Sequence, residues 1–265
     1  MKNTNVTLKD VQQVYDGPEG VLWELIMGEQ IHVGGFMSSK TLADKAGIKP
    51  GWRGVDLCSA LGAGCRFLAR NYNVSMCGVD ATDTMLSKAI DRVKAEGLAE
   101  RIEFKKSDVL NVPYPDGNFN FVWGEDAWCY VTDKRKVIFE AARLLKPGGV
   151  LAFTDWIEGS VGLSDDAAFR INSFMKFPNM ETLDSYKKHI FDAGLKLISA
   201  EELCEEFAEF VQLYLNMLSK QLTFDALKII GNNMELFQAM GGEMVFMLQC
   251  AKEGRMGRGR FIAVK

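Results

Sequence analysis

Apolar residues follow two different spacings along the chain. From residue 7 to about residue 47 they recur at helical intervals, interrupted by Gly17-Pro18 and Gly34-Gly35, which predicts a group of helices. Beyond this segment, short apolar runs alternate with longer amphipathic stretches, and these predict strands and helices respectively. The strands are expected at 53–58, 74–79, 102–106, 119–123 and 150–155, and the helices at 62–72, 82–97 and 133–145.

The alternation of strands with long helices dictates the kind of sheet. Parallel strands need crossover connections of this length, so we expect a doubly wound α/β fold with a mainly parallel seven-stranded sheet and helices on both faces. After Trp156 the alternation ends, and residues 157–180 carry several aromatic side chains without a clear pattern. A helix at 183–193, a strand at 195–200, a largely helical stretch at 201–254 and a last strand at 259–264 are expected beyond them.

The length of the chain and its uninterrupted pattern indicate one domain over residues 1–265. With 48% hydrophobic residues, this length can bury one substantial core. We expect residues 1–50 to form a helical N-terminal lid, residues 51–157 to form a cofactor-binding core, and residues 158–265 to form a second lid over the acceptor together with the end of the sheet.

The net charge and the cysteine content of the chain limit which partners and cofactors it is expected to bind. A net charge of -4 argues against nucleic acid and favours a small-molecule partner. The six cysteines are scattered and only two histidines accompany them, so no metal site is expected. The chain shows no signal-like start and no run of about 18 apolar residues. We therefore expect a cytoplasmic protein with reduced thiols and no integral membrane segment, and the composition leaves a homo-oligomer open.

The strongest chemical signal is the predicted strand-turn-helix at residues 55–64, Val-Asp-Leu-Cys-Ser-Ala-Leu-Gly-Ala-Gly. Small residues in the turn let a ligand approach the backbone, and the helix N-terminus favours a carboxylate. The next predicted strand ends in Gly78-Val79-Asp80, where a carboxylate can accept hydrogen bonds from ribose hydroxyls. This spacing fits a dinucleotide as well as any other nucleoside cofactor.

Two further segments favour one cofactor. Ser107-Asp108-Val109 with the run 113–122, and then Leu-Leu-Lys-Pro-Gly-Gly-Val-Leu at 144–151, resemble the corresponding motifs of class I S-adenosylmethionine-dependent methyltransferases. The resemblance covers about residues 51–155. It implies that Asp108 meets the adenine amino group, that Asp80 meets the ribose, and that the small-residue turn holds the methionine end. The cofactor-binding residues it implies are Asp56, Ser59, Ala60, Gly62, Asp80, Ala81, Asp108, Val109 and Glu125.

The turn departs from that family at two positions. The family's acidic-x-Gly-x-Gly-x-Gly pattern appears here with Cys58 and Ala60 in place of two glycines. Each substitution adds a side chain where the backbone approaches the ligand. The variant is expected to bind the cofactor, and weak binding stays an alternative.

The acceptor side is similar to the small-molecule N-methyltransferases that act on phosphoethanolamine or on glycine, sarcosine and dimethylglycine. The similarity lies in residues 15–20 and 28–35, and it places Tyr15 on a helix that closes over the cofactor. The group's Asp-Ala-x-x-His motif reads here as residues 126–130 with Tyr130 in the histidine position. We expect Tyr15, Tyr130 and His32 to be catalytic. We expect Asp126, Trp128 and Trp156 to contact the acceptor.

These observations predict methyl transfer from S-adenosylmethionine to the nitrogen of a small polar amine. One alternative is carbon or oxygen methylation of a sterol, a quinone or another hydrophobic metabolite, which the tyrosine at position 130 and the methionines late in the chain leave open. The other is a non-catalytic binding protein with the same fold, which the altered turn leaves open. A wet, acidic pocket would favour the amine and a dry pocket the hydrophobic acceptor.

Overall fold

The computed structural model describes residues 2–265. Its helices are α1 (Leu8–Asp16), α2 (Pro18–Met27), α3 (Gly35–Ala46), α4 (Ala63–Tyr72), α5 (Asp83–Ala95), α6 (Lys134–Leu144), α7 (Asp165–Met175), α8 (Leu183–Asp192), α9 (Cys204–Lys220), α10 (Thr223–Ile229) and α11 (Met234–Lys252). Its strands are β1 (Arg53–Leu57), β2 (Ser75–Asp80), β3 (Ile102–Lys106), β4 (Phe119–Glu125), β5 (Leu145–Glu158), β6 (Glu181–Thr182), β7 (Lys196–Glu202) and β8 (Met256–Val264).

The strands form one sheet in the order β3-β2-β1-β4-β5-β8-β7, with the two-residue β6 attached to the end of β5. Strands β1 to β5 are parallel, whereas β8 runs antiparallel to both of its neighbours, β5 and β7. The predicted mainly parallel, seven-stranded sheet is therefore confirmed, and β6 is an addition to it.

Both faces of the sheet are covered by helices, as continuous apolar strands require. Along β4, Val122 packs with α6 and α8 on one face, and Phe121 and Trp123 pack with α3 and α4 on the other. A third apolar cluster joins α2, α7, α9 and α11 beside the carboxyl end of β5. This third cluster places helices from both halves of the chain over the same edge of the sheet.

The main differences from the sequence prediction lie after residue 156. Residues 165–175, for which the pattern predicts no element, form α7. The Ser164 hydroxyl caps this helix by accepting from the Ala167 N–H at 3.2 Å. The predicted helical stretch at 201–254 is three separate helices, and β5 and β8 are both longer than predicted. No helix among residues 2–265 is long and apolar enough to cross a membrane.

Candidate active site

The carboxyl ends of β1, β2 and β4 open into a cleft. Helix α1 covers the cleft with Leu8, Val11 and Tyr15. Gln12 Nε2 on the same helix donates to the Ala81 carbonyl at 2.8 Å and so connects α1 to the end of β2. The cleft brings together most of the residues that the sequence singled out. These are Tyr15, His32, Asp56, Ser59, Ala60, Asp80, Ala81, Asp108, Val109, Glu125, Asp126 and Tyr130.

The turn after β1 adopts left-handed backbone angles at three positions, Cys58 (φ 68), Ala60 (φ 42) and Gly62 (φ 66). Only Gly62 adopts this conformation without cost, since an L side chain there costs about 1–2 kcal/mol. Hydrogen bonds to β2 hold the turn: the N–H groups of Cys58 and Ser59 donate to the Val79 carbonyl at 2.9 and 3.0 Å. The turn therefore keeps the backbone course of a glycine-rich loop without two of its glycines.

Asp80 lies at the carboxyl end of β2 and is hydrogen-bonded to the protein on both oxygens. Its Oδ2 accepts from the Ala60 N–H at 2.9 Å, and its Oδ1 accepts from the Thr82 N–H at 2.8 Å. Burial raises the pKa of this carboxyl. Because a carboxylate offers about four acceptor positions, two bonds to the backbone leave room for two ribose hydroxyls.

Asp56 and Glu125 place two more carboxyl groups deep in the cleft. Burial, together with the negative charge of Glu125, raises the pKa of Asp56 to about 8. A side chain on Gly64 would put its Cβ within 2.9 Å of Asp56 Oδ2, so the glycine keeps this approach open. Ser59 Oγ and Glu125 Oε1 are buried and have no hydrogen-bond partner among residues 2–265. Unpartnered buried polar atoms beside a cleft indicate that a polar ligand completes the site.

Asp108 lies at the exposed rim of the cleft. Its Oδ1 accepts from the Leu110 N–H at 2.9 Å and so closes a short turn after β3. The side chain of Val109, next to it, is buried. An acceptor oxygen above an apolar floor suits a flat heteroaromatic ring with an amino group.

His32 is 2% exposed, and both of its ring nitrogens are engaged. Nδ1 lies 3.2 Å from the Val33 carbonyl oxygen, which can only accept, so Nδ1 carries a proton. Nε2 lies 3.1 Å from Ser39 Oγ, and this hydroxyl donates to Glu125 Oε2 at 3.0 Å. His32, Ser39 and Glu125 thus form a hydrogen-bonded chain along the wall of the cleft.

A smaller cavity continues inward from the cleft, past Tyr15, His32, Asp126 and Tyr130. Its remaining walls are apolar or aromatic: Trp23, Met27, Ile31, Trp156, Met175 and Phe177. Trp156 therefore lies at this inner cavity and not in the outer cleft. Sequence reasoning missed Trp23, Met175 and Phe177, which come from segments far from the cofactor motifs.

Tyr15 and Tyr130 stand at the junction of the cleft and the inner cavity. Their rings meet edge to face with centroids 5.6 Å apart. Burial raises the pKa of both hydroxyls well above the usual tyrosine value. At neutral pH both groups are protonated, so they offer hydrogen bonds and not a phenolate base.

Both carboxylate oxygens of Asp126 accept hydrogen bonds from the protein itself. Its Oδ1 accepts from Arg258 Nε at 2.7 Å and its Oδ2 accepts from the Val33 N–H at 2.9 Å. Arg258 is fully buried and also donates to Thr154 Oγ1 at 2.9 Å. The sequence did not point to Arg258, although an arginine within an apolar strand signals a buried acidic partner.

Two predicted residues lie outside both cavities. Trp128 is fully buried, stacks on Phe153 with centroids 4.4 Å apart, and donates its Nε1–H to the Leu57 carbonyl at 3.2 Å. Within the described part of the chain this ring lines neither cavity, so its position does not support the expectation that it contacts the acceptor, which stays a prediction. Gly62 lies behind the turn, where a Cβ would come within 2.6 Å of the Phe104 ring.

The residues of the cleft fit S-adenosylmethionine. Asp80 suits the ribose, Asp108 and Val109 suit the adenine, and the buried acidic groups Asp56 and Glu125 suit the amino group of the methionine end. The fold and this set of acceptors define a class I methyltransferase. A family model described as a methyltransferase domain matches residues 55–153.

The chain belongs to the S-adenosylmethionine-dependent methyltransferase family. It is 30% identical over 217 residues to 27-O-demethylrifamycin SV methyltransferase of Amycolatopsis mediterranei, covering 76% of this chain and 79% of that protein. It is 28% identical over 204 residues to phosphoethanolamine N-methyltransferase 3 of Arabidopsis thaliana, covering 76% of this chain and 41% of that protein. The chain thus spans about two fifths of the length of that plant enzyme.

A solved structure of similar fold is phosphoethanolamine N-methyltransferase 2 of Haemonchus contortus in complex with phosphomonomethylethanolamine and S-adenosylhomocysteine. It superposes with a TM-score of 0.87 at 22% sequence identity, over 98% of this chain and 60% of that chain. At this identity the similarity shows the fold.

Proposed function

We propose that this protein transfers a methyl group from S-adenosylmethionine to the nitrogen of a small amine and releases S-adenosylhomocysteine. The observation that carries the proposal is the inner cavity that opens directly from the cofactor cleft between Tyr15 and Tyr130. Tyr15, His32, Asp126 and Tyr130 line both spaces, so an acceptor held in the inner cavity would lie beside the cofactor.

When bound, the cofactor supplies an electrophilic methyl group on a positively charged sulfur, whose bond to carbon breaks with the electron pair staying on sulfur as the new nitrogen–carbon bond forms. The chain's task is then mostly to position the amine. Good orientation alone is worth about 7–11 kcal/mol of the barrier. Tyr15 and Tyr130 orient the amine nitrogen by hydrogen bonds at the mouth of the inner cavity.

One proton must leave the amine nitrogen, and the tyrosine hydroxyls do not accept it because their raised pKa values keep them protonated. We assign its removal to the carboxylate of Glu125, which lines the cleft: the proton moves to Oε1, and the electron pair stays on nitrogen to form the new bond to the methyl carbon. Ser39 Oγ, which lies 3.1 Å from His32 Nε2, donates to Glu125 Oε2 at 3.0 Å and holds the carboxylate in place. The unpartnered Glu125 Oε1 faces no competing donor within the described part of the chain.

The first experiment is calorimetric titration with S-adenosylmethionine and S-adenosylhomocysteine, followed by a product assay over a panel of amines and hydrophobic acceptors. Micromolar binding with methylation of an amine supports the proposal. Methylation of only carbon or oxygen acceptors would favour the second candidate, a small hydrophobic metabolite, which the apolar walls of the inner cavity accommodate. Absence of cofactor binding would contradict an enzymatic function and favour a non-catalytic binding protein.

Tyr130→Phe tests the orienting role. Loss of one neutral hydrogen bond costs about 0.5–1.5 kcal/mol, so we expect kcat to fall roughly 2- to 12-fold while cofactor affinity is unchanged. Tyr72→Phe is the matched control, because the Tyr72 hydroxyl bonds to Asp44 on the surface at 2.7 Å. Equal kcat values for the two variants would remove the Tyr130 hydroxyl from the reaction.

We also infer a reducing compartment such as the cytoplasm. The support is that all six cysteines are unpaired, four of them buried.

A further inference from the structure

The charged residues that line the two cavities all have the same sign. Among the described residues, those that line the cleft and the inner cavity include no lysine and no arginine. The acidic residues among them are Glu29, Asp56, Asp80, Asp108, Glu125 and Asp126. The N–H groups at the N-terminus of α4 can hold one carboxylate, that of the cofactor. A second anionic group, on the acceptor, would find no counter-charge in the lining.

Buried cations behind the cavity walls are already engaged by other groups. Arg66 pairs with Glu29 and donates to the Leu61 carbonyl at 2.6 Å. Arg258 is paired with Asp126 at 2.7 Å. Lys134 donates to the carbonyl oxygens of Cys129 and Val131 at 3.0 and 2.8 Å. Turning any of these side chains toward a ligand would leave buried partners unsatisfied, which costs more free energy than one new hydrogen bond to the ligand provides.

His32 does not supply a positive charge that could bind an anionic group on the acceptor. Its Nδ1–H bonds to the Val33 carbonyl, and its Nε2 faces Ser39 and lies 3.4 Å from Glu125 Oε2. Any positive charge on this ring is therefore paired with Glu125 and is not free to bind a phosphate or carboxylate.

The lining instead offers aromatic faces. Tyr15, Tyr130, Phe177 and Trp156 form a continuous series of edge-to-face contacts, with centroid separations of 5.6, 4.9 and 5.5 Å and interplanar angles of 76–80°. Nearly perpendicular rings present faces in several directions around a small space. Such faces attract an alkylammonium cation and pack against its alkyl groups.

We propose, given the methyl-transfer function above, that the acceptor is an amine without a phosphate or carboxylate group, held against these aromatic faces. This preference separates the chain from the relatives named for phosphoethanolamine and for glycine, sarcosine and dimethylglycine. Specificity arises here by exclusion, since an anionic acceptor would place an unpaired charge beside the carboxylates of the cleft.

The test compares pairs of amines that differ by one anionic group: ethanolamine with phosphoethanolamine, and methylamine with glycine. Binding is measured by calorimetry in the presence of saturating S-adenosylhomocysteine, and methylation is measured separately. We expect the anionic member of each pair to bind at least about tenfold more weakly than its partner. Equal or tighter binding of phosphoethanolamine or glycine would overturn the proposal, as would binding of neither member while the cofactor product binds.

These outcomes are distinct from failure of the proposed function. If S-adenosylhomocysteine does not bind, or if amines bind but receive no methyl group, the methyl-transfer function fails. In the second case the measured preference between the pairs still decides the present proposal.

A variant adds the missing charge. Met27 lines the inner cavity on the half-buried end of α2, so in Met27→Lys the alkyl part of the lysine can take the methionine's place while the ammonium reaches a polar edge. We expect the ratio of phosphoethanolamine to ethanolamine affinity to rise at least tenfold, and Met27→Gln, the uncharged control, to change it less than twofold. An unchanged ratio in folded Met27→Lys would contradict the electrostatic reasoning, and the wild-type pairs decide the proposal even if this variant fails to fold.

Discussion

Replacing Arg258 by methionine tests how the acceptor side of the molecule is held together. Arg258 is fully buried and bonds to Asp126, Thr154 and Ser38. Through Asp126, which also accepts from the Val33 N–H, it connects β8 to the segment before α3. Methionine is close in size but carries no charge, so Arg258→Met leaves the Asp126 carboxylate buried with only a backbone donor.

The expected loss is large. Removing one partner of a buried ion pair costs about 3–5 kcal/mol, out of the 5–15 kcal/mol that typically stabilises a folded domain. For a protein of this size each kcal/mol corresponds to about 2–4 °C in Tm. We therefore expect Arg258→Met to lower Tm by roughly 6–20 °C, measured by circular dichroism, and to lower the free energy of unfolding correspondingly in urea.

Two comparisons make the result specific. Lys40→Met breaks the surface pair of Lys40 with Asp44, whose side chains are 60% and 49% exposed, and it should change the free energy of unfolding by less than about 1 kcal/mol. The double variant Asp126→Asn with Arg258→Met removes both charges and should recover part of the loss. A loss below about 1 kcal/mol in Arg258→Met, or a double variant as unstable as the sum of the singles, would refute the reasoning.

Three further predictions concern the cofactor cleft. Burial raises the pKa of Asp56 to about 8 in the folded protein, so the folded state keeps a proton that the unfolded chain releases as pH rises above about 4. The free energy of unfolding of the wild type, measured in urea relative to that of Asp56→Asn, should therefore fall between about pH 4 and pH 8 and be constant below pH 4. Ala60→Gly relieves a positive φ and should raise the free energy of unfolding by about 0.5–1 kcal/mol. Ala69→Gly, within α4, should lower it by about 1 kcal/mol or more. Changes of the same sign in the two variants would contradict backbone strain at Ala60. Asp80→Ala should weaken cofactor binding at least tenfold by calorimetry, and Asp83→Ala, at an exposed position nearby, should change it less than twofold.

The sheet was predictable because β1, β2 and β4 are short, largely buried strands that are each followed by a helix, and this pattern depends only on local sequence. The position of β8 was not, because its antiparallel insertion between β5 and β7 depends on strands that are distant in sequence. Helix α7 is hard to recognise in the sequence although Ala167, Ala168, Ile171 and Met175 follow helical spacing. The aromatic residues around it obscure that pattern.

The cofactor cleft was predictable for a similar reason, since its residues follow the ends of consecutive parallel strands. The residues around the inner cavity were harder to predict from the sequence. Trp128 follows β4 and Trp156 lies near the end of β5, but the short 3₁₀ turn at Trp128–Tyr130 brings the first indole to the Leu57 carbonyl, whereas the second lies at the inner cavity. Local sequence does not encode which side of the strand end an indole takes. The pairing of Asp126 with Arg258 joins positions 132 residues apart and has no local signature beyond the arginine itself.

The distance in sequence between Asp126 and Arg258 also implies an order of events during synthesis of the chain. A ribosome adds about 5–20 residues per second, so the carboxylate of Asp126 exists for roughly 7–26 s before Arg258 is made, 132 residues later. During this interval the strand ends around it cannot close over an uncompensated charge without a large cost. The cofactor half of the sheet can therefore assemble while synthesis continues, whereas the acceptor cavity takes its final form only after β8 has been translated and inserted. The ion pair thus makes the inner cavity the last part of the site to form.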